Sequence, residues 1–178
     1  MMDLTKRGLP NVVEIDGSLY SVYTDFRVWM RFANQMKRLR RGEYIDVSYL
    51  FKNEMPSFCR IDVLMEFLNP KCELPRRKHS SSEIILDYEI DGSYIYAAFM
   101  SQYGIDLVEV GELHWHKFLA LFKGLKEDEM ICRIMAYRGY SKSDEKIDFY
   151  AEQKEAWRIE YKTEEELEEE RKFSSLFE

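Results

Sequence analysis

The sequence predicts a mainly α protein: a helical domain with a short N-terminal β-hairpin and a long C-terminal helix. Three observations carry that prediction. Apolar residues recur at helical spacing through most of the 178 residues. Gly and Pro, at 8 and 4, are too few for the many tight turns of an all-β sandwich or barrel. Asp16-Gly17 stands between two short alternating runs, the pattern of a hairpin with a primed turn.

The hairpin is expected over about residues 11–23, with Val13 and Ile15 inward on its first strand. On the second strand, Tyr20 with Val22 or Leu19 with Tyr23 would face in. Thr24 then reads as the N-cap of a helix with an apolar stripe at Phe26, Trp29, Met30, Phe32, Ala33, Met36 and Leu39. Lys37, Arg38, Arg40 and Arg41 suit its negative C-terminal end, and Gly42 reads as its stop. Residues 43–55 fit either a short helix or coil. A second helix is expected from a Ser57 cap, burying Phe58, Ile61, Leu64, Met65 and Leu68 and halted by Asn69-Pro70.

Residues 70–82, rich in Pro, Ser and basic side chains, read as a mobile linker. Beyond it, Ile84, Ile85, Tyr88, Ile95, Ala98, Phe99 and Gln102 would share one side of a helix broken near Asp91-Gly92. Asp91 or Ser93 would cap its second piece and Gly104 would end it. Leu113, Phe118, Leu119, Leu121, Phe122 and Leu125 predict the next helix, ending near Gly124. Acidic residues open another, which buries Met130, Ile131, Ile134 and Met135 and stops at Gly139. From Ser143 to about Lys172, Ile147, Tyr150, Ala151, Lys154, Trp157, Arg158 and Tyr161 predict one long helix. Its end carries six glutamates within residues 164–170, a solvated tail of mutually repelling charges. The domain organisation is thus 1–142, a helical domain with the hairpin, and 143–178, the C-terminal helix and acidic tail.

Charge divides unevenly. Residues 1–80 hold 14 Lys/Arg against 10 Asp/Glu, and the rest 12 against 23, for a net charge of −7. The overall acidity disfavours nonspecific nucleic-acid binding, and the opposed halves suit self-association. Cys59, Cys72 and Cys132 are odd in number and widely spaced, which fits a reducing compartment. No stretch reads as a signal peptide or a membrane span, so a cytoplasmic location is expected.

His114 and His116 flank Trp115 in "LHWHKF" and are the obvious candidates for chemistry. On a helix, side chains two apart diverge by roughly 200°, so the pair would not grip one metal together. Glu112 and His116 could pair, but a zinc site needs three or four ligands, and His79 lies in the linker. There is no nucleophile elbow, no glycine-rich phosphate loop and no cysteine in a catalytic setting. The expectation is therefore no enzyme, no catalytic residue, no metal and no cofactor. Two weaker nucleic-acid readings remain: stacking on Tyr88, Tyr94, Tyr96, Phe99 and Tyr103, and contacts from Lys37, Arg38, Arg40, Arg41, Arg76, Arg77 and Lys78. A helical core explains the aromatics, and helix-end placement the first basic cluster.

The segments "LPNVVEIDGSLYSVYTDFRVWMRF", "LDYEIDGSYIYAAFMSQYGIDLVEVGELHWHKFLALFKGL" and "RIMAYRGY" together resemble the bacteriophage gene-product-fifteen family of tailed phages and prophages of Gram-positive bacteria. The anchors are Asp16-Gly17, Thr24-Asp25-Phe26-Arg27, Asp87-Tyr88, Tyr103-Gly104-Ile105-Asp106-Leu107, and Leu113-His114-Trp115 with Phe118, spread over about residues 9–140. The resemblance implies a gene in the tail module beside the tape-measure gene, and no catalytic residue. It implies a tail-morphogenesis protein of the host bacterial cytoplasm, a tail assembly chaperone that binds the tape-measure protein and hands over to tail-tube subunits. A helix-in-groove contact would suit such a client. The alternatives are a minor structural component of the tail, or a DNA- or host-directed phage protein.

Overall fold

The computed structural model describes residues 5–40, 43–70, 84–140 and 149–161. They fall into two compact units, one within residues 1–79 and 86–133, the other within 80–85 and 134–178. The architecture is mainly α, with an antiparallel hairpin near the N-terminus. Among the described residues no helix is long and apolar enough to cross a membrane.

In the first unit, β1 (Val12–Ile15) and β2 (Ser18–Ser21) pair in the register Val12↔Ser21 through Ile15↔Ser18. Asp16 and Gly17 both take positive φ, 50° and 78°, as a primed two-residue turn requires. Val13, Ile15 and Val22 point inward, while Leu19 and Tyr23 are exposed, so the Tyr20/Val22 alternative is the one adopted.

Helix α1 spans Phe26–Arg38 and buries Phe26, Trp29, Phe32 and Ala33. Its cap is Asp25, one residue later than expected. The Asp25 carboxylate accepts from the Arg27 backbone N–H, while the buried Thr24 hydroxyl donates to Glu112 at 2.8 Å. The carboxylate is the stronger acceptor at the positive end of a helix. The helix ends at Arg38 with Leu39 extended, before Gly42, which lies outside the described residues. Residues 43–55 form a single 3-10 turn at Ser48–Leu50 between irregular stretches, with Val47, Leu50 and Phe51 buried.

Helix α2 spans Ile61–Leu68. Ser57 does not cap it: the helix starts four residues beyond, after Arg60, and Phe58 is left exposed. Phe67, outside the expected stripe, is buried instead of Phe58. Asn69-Pro70 ends the helix as expected, and the linker beyond Pro70 lies outside the described residues.

Residues 84–87 have no regular secondary structure and 88–91 form a turn, so the helix expected from Ile84 onward begins only at α3 (Gly92–Tyr103). Asp91 precedes α3 without capping it; its carboxylate accepts from the Asp87 N–H. Gly104 ends α3 in the left-handed region, φ 64°, where a side chain would be strained. Helix α4 (Trp115–Lys123) closes at Gly124. Phe118 stands in its middle and stacks on Phe26 at 5.2 Å, Phe99 at 5.0 Å and Trp115 at 5.6 Å.

Arg27 ties the start of α1 to the loop before α4. Its guanidinium donates to the carbonyls of Val110 at 2.8 Å and Leu107 at 3.0 Å, with longer bonds to Val108 and Gly111. An ammonium offers no planar fork for several carbonyls. Arg27→Lys is expected to lower stability by about 1–2 kcal/mol in urea unfolding, at unchanged m-value.

Helix α5 spans Met130–Arg138 and gives way at Gly139. Ile131 and Ile134 are fully buried, whereas Met130 is 38% exposed. In the second unit, α6 runs over Phe149–Ala156 only. The long C-terminal helix is therefore not continuous: residues 158–161 are not helical, and the rest of 143–172 lies outside the described residues. At the break, the Trp157 carbonyl is taken by Arg138 Nε at 2.6 Å, which competes with helical pairing. Arg138 also donates to the Ile85 carbonyl, and Tyr150 packs on Tyr137 and Tyr140.

Candidate functional site

The histidine pair is part of the framework. His114 is not in a helix: it is the N-cap of α4, and its Nδ1 accepts from the His116 N–H at 3.0 Å. The two rings do not diverge as a shared helix would require; their centroids are 5.2 Å apart. Each Nε2 donates to a carbonyl, His114 to Pro10 and His116 to Phe67, both at 2.9 Å. A carbonyl only accepts, so both rings are fixed as Nε2–H tautomers. Among the described residues no three His, Cys, Asp or Glu side chains gather as a metal site would need. Glu112 turns to Thr24 rather than to His116.

Burial holds both imidazoles below the usual histidine range, the carbonyl bonds opposing it. Their unfolded forms therefore bind protons first as pH falls. Stability from this source is complete above about pH 6.5 and is lost below it, by at most about 1.4 kcal/mol per pH unit for each ring. A urea titration series from neutral to mildly acidic pH is expected to show this slope, and His116→Gln to flatten it.

The other candidates that lie within the described residues have partners within the chain, although Lys37 and Arg38 stay on the surface. Lys37 donates to the Leu86 carbonyl and lies over the Tyr88 ring, and Arg38 pairs with Glu89 at 2.8 Å and Asp87 at 3.5 Å. Of the proposed stacking residues, Phe99 is fully buried, Tyr88 packs edge-on against Trp115, and the Tyr103 and Tyr96 hydroxyls bond to the Leu121 carbonyl and Asp106. Burial raises the Tyr88 hydroxyl to about 12 and pushes the Cys59 and Cys132 thiols upward, away from the reactive thiolate. Cys72, His79, Arg41, Arg76, Arg77 and Lys78 lie outside the described residues.

Among the described residues, one groove, of about 850 Å³, lies between β1 and α2. Val12, Val63, Phe67 and Pro70 give it apolar walls. Glu14, Asp16 and Glu66 supply negative charge, with Arg60 as the positive group. His116 also lines it, and His116 Nδ1 is buried without a hydrogen-bond partner. The sequence reading did not mark this groove. Its signal was present in Val63 and Phe67, one turn apart on α2, but Phe58 stood in their place.

A family model described as Bacteriophage Gp15 protein matches residues 6–167. The chain belongs to that family. No curated protein and no solved structure matches the chain. The residues that carry the Gp15 resemblance build the fold: Asp16-Gly17 makes the hairpin turn, Asp25 and His114 cap helices, Arg27 clamps a loop, and Phe118 fills the core. The groove beside β1 shares Asp16 and Gly17 with this set and otherwise takes its walls from other residues of β1 and α2.

Proposed function

We propose that this Gp15-family protein is a tail assembly chaperone of the phage-infected or lysogenic bacterial cytoplasm, binds the tape-measure protein, and carries out no catalysis. The observation that supports the reading is the groove beside β1, an open apolar trough with a charged rim. Its chemistry suits holding a chain rather than transforming one. A tape-measure protein, as a long chain rich in apolar surface, would aggregate unless covered before the tail tube polymerises around it. Many copies, each of modest affinity, cover such a chain through avidity. The internal pairing of Lys37 and Arg38 weighs against a DNA-directed role.

Co-expression with the cognate tape-measure protein tests this. The tape-measure chain is expected to shift from the insoluble to the soluble fraction, and equal insolubility with and without the protein would remove the proposal.

A further inference from the structure

We infer that the outer edge of β1, with the groove beside it, takes an extended peptide of a partner protein as an added strand. The peptide carries apolar residues flanked by lysine or arginine. The inference rests on the chaperone reading for the partner's identity, and it specifies the conformation and charge of the segment held.

The hairpin is asymmetric. Its two-residue turn makes Ile15↔Ser18 and Val13↔Tyr20 the pairs that exchange hydrogen bonds, and Val22 N–H donates to the Asn11 carbonyl in the same phase. The peptide groups of Val12 and Glu14 therefore point away from β2. On the other side, the far edge of β2 is occupied: Lys52 N–H donates to the Ser21 carbonyl, and Tyr23 N–H to the Leu50 carbonyl, each at 2.9 Å. Among the described residues no backbone group pairs with Val12 or Glu14 on the far edge of β1.

An open edge is a template for another strand, and here the space beside it is the groove. A docked strand would pair with Val12 and Glu14. Its alternate side chains would fall toward Val63 and Phe67 on α2. A helix leaves free only the N–H groups of its first turn and the carbonyls of its last, too few to pair along this edge, so the extended form fits better than a docked helix. Among the described lining residues three carboxylates stand against one guanidinium, which favours a cationic occupant and disfavours this chain's own glutamate-rich end.

Panning the full chain against a random linear peptide library tests the site without reference to any client. Enriched peptides are expected to alternate apolar residues and to carry Lys or Arg. Their binding is expected to fall about tenfold or more in Val12→Pro, which removes an outward N–H and leaves the cross-hairpin bonds in place. A similar fall is expected in Glu14→Lys/Glu66→Lys, which reverses charge at two exposed positions and covers the case where the proline variant does not fold. No enrichment, acidic peptides, or undiminished binding in the folded variants overturns the inference, as does light scattering that shows the edge filled by a second copy. The same variants separate the two ideas. If the tape-measure protein co-purifies equally with wild type and both variants, the docking site fails and the chaperone reading stands. If basic peptides bind edge-dependently but the tape-measure protein does not co-purify, the docking site stands and that reading fails.

Discussion

Phe118→Ala is expected to lower stability by about 3–5 kcal/mol, a large share of what a domain of this size possesses. Phe118 is fully buried on α4. Its ring stacks on Phe26 of α1, Phe99 of α3 and Trp115 and Phe122 of its own helix, with Tyr88 edge-on at 6.2 Å. Truncation removes one member of every pair at once and leaves a cavity bounded by rings, whose flat faces cannot close inward without leaving their rotamers. Urea unfolding followed by fluorescence measures the loss. Phe58→Ala is the control: at 73% exposure it is expected to change stability by no more than about 0.5 kcal/mol. A loss below about 1.5 kcal/mol at Phe118 would mean that α1, α3 and α4 do not meet there.

Asp87→Ala is expected to cost about 2–6 kcal/mol, from two donors that lose a charged acceptor at roughly 1–3 kcal/mol each. Asp87 is fully buried, and its Oδ1 accepts from the N–H groups of Glu89 at 2.9 Å and Ile90 at 3.1 Å. Its Oδ2 faces Arg38 at 3.5 Å, at the end of α1. The carboxylate thus shapes the turn that launches α3 and also answers the basic end of α1. Asp87→Asn keeps an acceptor for both N–H groups and gives up only the charge, so it is expected to restore at least half of the loss. Equal losses in the two variants would place the effect on the Arg38 pair rather than on the turn.

Local chemistry was readable from the sequence, and partner choice was not. Asp16-Gly17, Gly104 and Asn69-Pro70 act as the residue types require, because a positive φ or a missing N–H is a property of the residue itself. The stripe of α1 was equally legible, since Phe26, Trp29, Phe32 and Ala33 share one face at helical spacing. The errors came where tertiary partners decide. Thr24 yields the cap to Asp25 because Glu112, distant in sequence, takes its hydroxyl. Phe58 and Phe67 exchange places because Trp29 stacks on Phe67 at 4.3 Å. Trp157 ends α6 beside the guanidinium of Arg138, which no periodicity announces. The expected divergence of His114 and His116 rested on a shared helix, whereas His114 is the N-cap before α4 and only His116 lies within it. The groove stayed hidden for the same reason: it joins the edge of β1 to a face of α2, and only the packed chain brings them together.

A chaperone that covers a long client chain in many copies, as proposed above, would show in the mass of the co-purified complex. Native mass spectrometry of the protein expressed with its cognate tape-measure protein is predicted to give one tape-measure chain carrying several copies of this chain. A tape-measure protein recovered alone, with this protein at its own free mass, would rule out the chaperone role.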